Sequence, residues 1–312
     1  MYKFIDLFCG IGGFRSALQK QGMKCVFSSD IDKNAQEQYY RNFGERPEGD
    51  ITEIPEKKIP KHDILCAGFP CQSFSISGKK LGVNDDRGRL FYEIVRIAEY
   101  HQPYVLVLEN VKNIISIDNG GMIKTIQTKL NEIGYNVYYN VLNASHFGVP
   151  QSRERVYFVC LRKDTGAESH LNYKTPKKTM KKIYLENILE KNVEDNLFID
   201  RDDMQFKDDL QVDYDLKPIR IGIVNKGGQG ERIYSPKGHA ITLSAYGGGV
   251  GAKTGLYLID DKIRRLSINE CKAVMGFNKD HKVSEGIQGY TQLGNAVIPS
   301  MIEYVYENIK VA

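Results

Sequence analysis

The chain of 312 residues is predicted to be an α/β protein, with a mainly parallel sheet covered by helices on both faces and a second, smaller β-rich domain. Two observations support this fold class. Short runs of β-branched and aromatic residues alternate with amphipathic stretches through the first half of the chain. This alternation stops after about Arg162, where the composition changes.

The alternating pattern places strands and helices in the first half of the chain. Strands are predicted at Lys3–Phe8, Cys25–Ser29, Ile64–Ala67, Tyr104–Glu109, Tyr135–Leu142 and Arg155–Leu161. Helices are predicted at Gly13–Gln21, Asp32–Phe43, Arg89–His101 and Met122–Ile133, and later in the chain at Ser267–Met275 and Ile298–Asn308.

The second half of the chain has a different composition. Lys174–Lys182 is basic, as is typical of a solvated linker, and Glu190–Leu216 is rich in Asp and Asn. Between positions 220 and 260, β-branched and aromatic residues are interleaved with two glycine runs, Lys226–Gly230 and Tyr246–Gly249. This pattern predicts a small domain of hairpins with exposed glycine loops.

The composition narrows the class of protein. Hydrophobic content of 41% with 26% charged residues is typical of a soluble globular protein, and a net charge of +4 is compatible with a polyanionic partner without establishing one. Six scattered cysteines, with no C-x-x-C pair, argue against a metal site or a disulfide framework. No apolar run approaches the ~20 residues that span a membrane, and no signal segment precedes the first strand, so we expect a cytoplasmic protein.

Cys71 lies in Phe69–Gln72, just after the predicted strand Ile64–Ala67. Open α/β sheets place their chemistry at this edge, although a lone cysteine is more often a small buried hydrophobic residue. Glu109 ends the predicted strand Tyr104–Glu109 and is expected at the same edge; the alternative is an exposed strand-end carboxylate. A thiolate and a proton-donating carboxyl suit addition to a pyrimidine ring, which is poorly reactive by itself.

Gln151–Arg155 begins another predicted strand and contains two arginines at i and i+2. Residues with this spacing share one face of a strand, so the guanidinium groups of Arg153 and Arg155 are expected in one cleft. There they could bind a phosphate or a base carbonyl, with surface salt bridges as the alternative.

Gly10, Gly12 and Gly13 form a turn between the first predicted strand and helix. Such a turn lets a cofactor approach the backbone, but the spacing is not G-x-G-x-x-G and a plain tight turn is equally compatible. Asp30 follows the second predicted strand, where a carboxylate commonly accepts hydrogen bonds from a ribose diol. A helix cap is the alternative for Asp30 and also for Asp50, which precedes Ile51.

Five motifs in order resemble those of the DNA cytosine-5 methyltransferases, and the resemblance extends over essentially the whole chain. They are Asp6–Gly13, Gly68–Gln72, Glu109–Val111, Gln151–Arg155 and Gly294–Val297. The resemblance implies S-adenosyl-L-methionine as methyl donor and double-stranded DNA as partner, with the target base flipped out of the duplex. It implies that Cys71 is the covalent nucleophile, that Glu109 contacts N3 of cytosine, and that Arg153 and Arg155 support the target base and the active-site loop.

The same resemblance implies the cofactor contacts and the domains. Phe8 would pack on the adenine, Asp30 would bind the ribose and Asp50 the adenine amino group. Pro70 would contact the target base, and Asn295 would close the cofactor pocket. The full predicted cofactor set is Phe8, Gly10, Gly12, Gly13, Asp30, Ile31, Asp50, Ile51, Pro70, Leu90 and Asn295. The catalytic, Rossmann-like domain would comprise 1–183 and 284–312, and the target-recognition domain 184–283.

Both glycine loops resemble the recognition loops of a bacterial member of the family that modifies the inner cytosine of GCGC. On this resemblance Gln229 would fill the space that the flipped base vacates, and Arg232 would read a guanine edge. Tyr246 would lie near the recognition strand, and Ser77 would reach in from the other groove. We expect a monomer of a restriction–modification system that makes no direct contact with a cognate endonuclease.

Two residues depart from the family pattern. Ile31 stands where close relatives place an aromatic residue on the adenine, so cofactor binding is expected but weaker. Asn269 stands before Glu270 where the family usually has arginine. This departure puts in doubt how the recognition domain is supported, but not the chemistry.

Three other functions fit the sequence less well. The branch of the family that methylates a tRNA typically carries a Cys-Phe-Thr triplet, which the sequence lacks. A nicotinamide-dependent oxidoreductase is disfavoured because G-x-G-x-x-G is absent. Cys71 and Glu109 argue against a DNA-binding module without catalysis.

Overall fold

The computed structural model describes residues 1–70, 89–166, 168–169, 182–208 and 211–310. The chain divides into two units, the first comprising 1–142, 154–174 and 302–312 and the second comprising 143–153 and 175–301. Compared with the predicted domain bounds, 143–153, 175–183 and 284–301 belong to the second unit. Which unit carries which function stays a prediction.

A six-stranded sheet forms the centre of the first unit. Its strands are β1 (Lys3–Leu7), β2 (Lys24–Ser29), β3 (Ile64–Gly68), β4 (Val105–Val111), β5 (Tyr135–Asn143) and β6 (Glu154–Arg162). They lie in the order β2-β1-β3-β4-β6-β5. The β1–β2, β1–β3 and β3–β4 pairs are parallel, whereas β4 and β6 are antiparallel.

The predicted mainly parallel sheet is therefore a mixed sheet. A parallel connection needs a crossover of a dozen or more residues. The segment between β5 and β6 is too short for this, so β6 reverses direction and lies between β4 and β5. Successive residues of a strand point to opposite faces, and β3 and β4 are buried at Ile64–Ala67 and Val105–Asn110. Both faces of the sheet are thus covered at these central strands.

The helices of the first unit agree with the predicted ones to within one or two residues. They are α1 (Gly13–Lys20), α2 (Lys33–Phe43), α3 (Arg89–His101) and α4 (Gly121–Glu132). Asp32 caps α2 by accepting a hydrogen bond from Asn34 N at 2.8 Å, and Gly44 ends it with φ 73°. A short strand, β7 (Glu168–Ser169), follows β6.

A five-stranded sheet lies in the second unit. Its strands are β8 (Gln205–Phe206), β9 (Ile219–Ile223), β10 (Arg232–Ser235), β11 (Leu256–Ile259) and β12 (Lys262–Arg264), in the order β12-β11-β10-β9-β8. The predicted hairpins are confirmed for β9–β10 and β11–β12, which pair antiparallel. Strands β10 and β11 are parallel, because the long connection 236–255 returns the chain in the same direction.

Three helices follow this sheet in the chain. They are α5 (Ile268–Val274), α6 (Gly286–Asn295) and α7 (Pro299–Glu307), after which β13 (Ile309–Lys310) pairs with β7. Helices α5 and α7 were predicted, whereas α6 was not. In the part of the chain that the structure describes, no helix has the length and apolar character needed to cross a bilayer.

A buried ion pair joins β12 to α5. The guanidinium group of Arg264 lies 2.7 Å from each carboxylate oxygen of Glu270, and the two side chains are 2% and 0% exposed. Glu270 also accepts hydrogen bonds from Ser267 N and Glu190 N. Asn269 donates to the carboxylate of Glu190, so the residue that departs from the family pattern contributes to the same network.

We expect Glu270→Gln to lower the free energy of unfolding by about 3–5 kcal/mol, because it leaves the charge of Arg264 buried without a counterion. Urea unfolding followed by circular dichroism measures this change. Glu285→Gln is the matched control: Glu285 is exposed, so its effect should stay within about 0.5 kcal/mol. Equal midpoints for the two variants would contradict a stabilising role of the pair.

Candidate active site

The carboxyl ends of β3 and β4 lie side by side in the first unit. Gly68 is the register partner of Glu109, and the side-chain amide of Asn110 donates to Phe69 O at 2.9 Å. Asn110 is buried, so this bond holds the start of the Phe69–Gln72 motif against β4. No role was predicted for Asn110 from the sequence, although its position inside the Glu109–Val111 motif could have indicated one. Cys71 and Ser77 lie outside the described residues.

Glu109 lies within β4 and is buried, with 8% of its surface exposed. The prediction that the strand ends at Glu109 was therefore short by two residues, and the alternative of an exposed carboxylate is excluded. Arg155 lies on β6 opposite Val111, and its Nε is 3.1 Å from Glu109 Oε1. Cross-strand neighbours at this diagonal point to the same face, which accounts for the contact. The guanidinium group thus fixes the orientation of the Glu109 carboxyl.

Arg153 contacts a different set of groups. It is 2% exposed, and its guanidinium donates to the carbonyl oxygens of Leu243, Gly294 and Ala296 at 2.9–3.2 Å. Arg153 precedes β6, and carbonyl groups of the second unit accept its hydrogen bonds, so the alternative of a surface salt bridge does not describe it. That Arg153 and Arg155 share one cleft stays a prediction. A role of Arg153 in supporting the target base stays a prediction.

The glycine turn after β1 has a left-handed backbone. Phe8, Gly10 and Gly12 have φ values of 54°, 52° and 88°. A Cβ added at Gly12 would lie 2.2 Å from the ring of Phe43, so this glycine is needed for α1 to pack against α2. A Cβ at Gly10 would meet no atom within 4 Å. Gly10 therefore borders open space in which a ligand could approach the backbone.

Asp30 connects this turn to the start of α2. Its Oδ2 accepts a hydrogen bond from Gly10 N at 2.7 Å, and its Oδ1 accepts one from Asp32 N at 2.9 Å. Burial raises the pKa of Asp30, and these two hydrogen bonds oppose that shift. The cap of α2 is Asp32, so the alternative that Asp30 itself caps the helix is excluded.

The other predicted cofactor residues differ in exposure. Ile31 is 72% exposed, whereas Ile51 is buried. Asp50 caps the short 3-10 helix Ile51–Glu53, with its Oδ1 accepting a hydrogen bond from Thr52 N at 2.9 Å, so the alternative of a helix cap is confirmed for Asp50. The backbone pairing of Asp30 N with Glu48 O brings this segment beside β2. Three further predicted cofactor residues lie in different elements. Pro70 is exposed after β3, Leu90 is half-buried in α3, and Asn295 is exposed at the end of α6 in the second unit.

The two glycine loops of the second unit, Lys226–Gly230 and Tyr246–Gly249, are in direct contact. Gly251 N donates to Gly230 O at 2.6 Å, and a Cβ added at Gly230 would lie 2.3 Å from Gly248 O. Glycine at position 230 is therefore required for this close approach.

Three of the four side chains predicted to read DNA lie on or next to these loops and are exposed, and the fourth, Ser77, is outside the described residues. Gln229 is exposed between two glycines, and the exposed Arg232 donates from Nε to Gly227 O at 3.1 Å. Tyr246 is 72% exposed, with Lys253 Nζ 6.0 Å from its ring centroid. The second unit thus presents two of these side chains on the joined loops and the third, Arg232, at the start of β10.

Comparison with solved structures supports the fold. The S. pombe Dnmt2 methyltransferase matches with a TM-score of 0.76 and 18% identity, covering 98% of this chain and 97% of that chain. The Entamoeba histolytica methyltransferase EhMeth matches with a TM-score of 0.76 and 21% identity, covering 99% and 97%. At these identities the likeness shows the fold alone.

Comparison with curated sequences and family models shows the family. Type II methyltransferase M.HhaI of Haemophilus parahaemolyticus is 49% identical over 309 residues, which cover 98% of this chain and 94% of that protein. Type II methyltransferase M.MspI of Moraxella sp is 39% identical, covering 100% of this chain and 71% of that protein. The family model described as C-5 cytosine-specific DNA methylase matches residues 2–311. The chain therefore belongs to the C-5 cytosine-specific DNA methylases and is a DNA (cytosine-5) methyltransferase.

Proposed function

We propose that the enzyme transfers a methyl group from S-adenosyl-L-methionine to C5 of the inner cytosine of GCGC in double-stranded DNA, through base flipping and a covalent bond between Cys71 and C6. The observation that carries the proposal is the register of β3 and β4. It sets Glu109, oriented by Arg155, beside Gly68 at the start of the motif that contains Cys71.

Each of these residues has a defined task in this chemistry. The Cys71 thiolate adds to C6 of the cytosine, and the carboxyl of Glu109 holds a proton at N3, so that the ring accepts the electron pair and C5 becomes nucleophilic. After C5 has taken the methyl group, its proton leaves and the electron pair of that C–H bond expels the Cys71 thiolate from C6, which restores the aromatic ring and the free enzyme. Arg155 keeps the Glu109 carboxyl in one orientation, which avoids reorganisation during the reaction. A base inside a duplex is out of reach of these groups and must be flipped out.

The residues around the glycine turn fit an adenosyl cofactor. Gly10 borders open space, Ile31 offers an exposed aliphatic surface for the adenine, and Asp30 and Asp50 supply carboxylates for the ribose and the amino group. Phe8 lies at the same turn in a left-handed conformation. S-adenosyl-L-methionine, when bound, supplies the electrophilic methyl group that C5 accepts.

The assignment of GCGC rests on the 49% identity to M.HhaI and on the exposed loop residues. Arg232 can form the bidentate contact with a guanine edge that arginine commonly makes, and Gln229 can fill the space that the flipped base leaves. Glycines on both loops allow the backbone to approach DNA closely. Because M.HhaI and M.MspI are type II methyltransferases, we further propose a cytoplasmic monomer of a restriction–modification system, without direct contact with a cognate endonuclease.

The test is incubation of the enzyme with methyl-labelled cofactor and a short GCGC duplex, followed by digestion to nucleosides. Label is expected in 5-methylcytosine at the inner cytosine, and sequencing of methylated plasmid DNA gives the context independently. Label on an exocyclic amine, or none with any cytosine-containing duplex, would refute the proposed reaction. Equal incorporation into duplexes with and without GCGC would refute only the recognition site.

Arg232→Ala should reduce the preference for GCGC over a duplex with one outer guanine changed. A bidentate contact discriminates by about 1–3 kcal/mol, so the ratio of kcat/KM values should fall about 5- to 150-fold. Arg220→Ala removes an equally exposed arginine of β9 and should leave this ratio unchanged. An equal fall in both variants would point to a general effect of positive charge.

A further inference from the structure

A chain of four polar side chains lies behind the first glycine loop; we call Arg201, Asp203, Asn225 and Glu231 the loop brace. Arg201 and Asp203 form a bidentate pair at one end, with N–O distances of 2.7 and 2.8 Å. This contact lowers the pKa of Asp203 to about 2, so its carboxylate is ionised at neutral pH.

Asn225 joins this ion pair to the loop. Its Oδ1 accepts a hydrogen bond from Arg201 at 2.8 Å, its backbone N donates to Asp203 at 3.0 Å, and its Nδ2 donates to Glu231 at 2.9 Å. Its backbone is left-handed, with φ 48°, a conformation that asparagine tolerates better than most residues. Both side-chain polar groups and the backbone N–H of Asn225 are thus engaged.

Glu231 closes the loop on itself. Its Oε2 accepts a hydrogen bond from Gly228 N at 2.8 Å while Oε1 accepts from Asn225. These bonds lower the pKa of Glu231. Its backbone completes a turn, with Glu231 N donating to Gly228 O and Val224 N donating to Glu231 O. Gln229 lies within this anchored stretch and Arg232 directly follows it; both are proposed to read DNA.

The net negative charge of the loop brace disfavours DNA binding. Two carboxylates and one guanidinium group lie behind a loop proposed to face a polyanion, and the surplus negative charge opposes DNA binding. A loop with three glycines has, in addition, a large conformational entropy to lose on binding. Fixing the loop in advance removes that entropy loss from the binding step.

We propose that the loop brace holds Lys226–Gly230 in its DNA-binding conformation before DNA arrives, and that Asn225 is therefore a positioning residue for target recognition. The inference rests on the proposed function, since it assumes that Gln229 and Arg232 read the duplex. It adds that selectivity depends on residues that do not touch the bases.

The test compares variants of the full-length enzyme on GCGC and single-base-changed duplexes. Asn225→Gly keeps the left-handed backbone accessible and removes the side-chain bridge, so KM for GCGC DNA should rise about 3- to 10-fold and discrimination should fall, with kcat and cofactor affinity within about twofold. Asp261→Gly is the matched control, because Asp261 is exposed with φ 60° in the β11–β12 turn. It should behave like the wild type.

Reversing the direction of the Asn225–Glu231 hydrogen bond distinguishes a positioning role of Glu231 from direct contact of Glu231 with DNA. Asn225→Asp sets two carboxylates against each other and should raise KM more than Asn225→Gly does. Combining it with Glu231→Gln lets the new amide donate to the new carboxylate while its oxygen still accepts from Gly228 N. We expect the double variant to recover most of the wild-type KM and discrimination.

Three results would overturn the inference. One is Asn225→Gly with unchanged KM and discrimination. Another is a double variant no better than Asn225→Asp, since Glu231 would then act through its own charge. The third is a lower melting temperature with weakened cofactor binding in Asn225→Gly, which indicates a purely structural role. Failure of the proposed function gives a different result: the wild-type enzyme itself would then show no preference for GCGC. Failure of the brace inference alone leaves the wild-type preference intact.

Discussion

Replacement of Cys71 by serine should lower methyl transfer by more than about 1,000-fold, because a hydroxyl group is a far weaker nucleophile than a thiolate at neutral pH. The fold and the affinity for S-adenosyl-L-methionine should change little, since the substitution is nearly isosteric. Transfer of labelled methyl groups to a GCGC duplex measures the loss, and calorimetric titration with the cofactor measures the retained affinity.

Trapping of the covalent intermediate gives a second measurement of the same prediction. In a duplex with 5-fluorocytosine at the target, fluorine stands where a proton must leave C5, so the Cys71–C6 bond should persist through denaturing electrophoresis. The serine variant should give no such band. Cys25→Ser is the matched control, because Cys25 is buried on β2 and a hydroxyl can keep its hydrogen bond to Phe27 O. Turnover retained in Cys71→Ser, or lost equally in Cys25→Ser, would refute the assignment of the nucleophile.

Local sequence pattern predicted most of the first unit because its elements are decided locally. Burial on both faces makes β3 and β4 continuous apolar runs, and α2 begins at a capping aspartate and ends before a glycine. The direction of β6 was not predicted, because it depends on which strand β6 joins. The strand β4 was ended too early since Glu109 and Asn110 are polar, yet the structure buries both.

Helix α6 shows why packing can override propensity. Its glycines disfavour a helix, so no helix was predicted there. A Cβ at Gly289 would lie 2.1 Å from Ser284 O, and a Cβ at Gly294 would lie 2.5 Å from Ala245 N. Only glycine permits these contacts, and the partner of Gly294, Ala245, lies too far away in the sequence to be identified from local pattern.

The candidate site was predicted only in part, because local pattern identifies motif residues but not their distant partners. Motif order identified Glu109 and Arg155, and the structure brings them together across β4 and β6. The acceptors of Arg153 lie 90 or more positions further along the chain, so the local pattern could not identify them. The loop brace likewise joins Asn225 to residues more than 20 positions away. Its residues form no recognisable motif, so it could not be predicted from the sequence.

Glu109→Gln should lower kcat by about 10²- to 10⁴-fold, the usual contribution of a positioned proton donor. Glutamine has the same shape, its oxygen can still accept from Arg155, and its amide can still contact N3. It cannot supply a proton, however, so the ring loses the acid that lets it accept electrons. KM for DNA and cofactor affinity should therefore change little. Single-turnover transfer of the labelled methyl group measures the rate constant of the chemical step separately from product release, and steady-state assays give kcat.

The control and the double variant decide whether Glu109 acts on the same step as Cys71. Glu154→Gln removes an exposed carboxylate of β6 and should leave kcat within about twofold. If the proton at N3 serves only the addition of Cys71 to C6, the combination of Cys71→Ser with Glu109→Gln should be no slower than Cys71→Ser alone, since residues that act as a unit are not additive. A further fall would place Glu109 in another step, and an unchanged kcat in Glu109→Gln would remove it from the chemistry altogether.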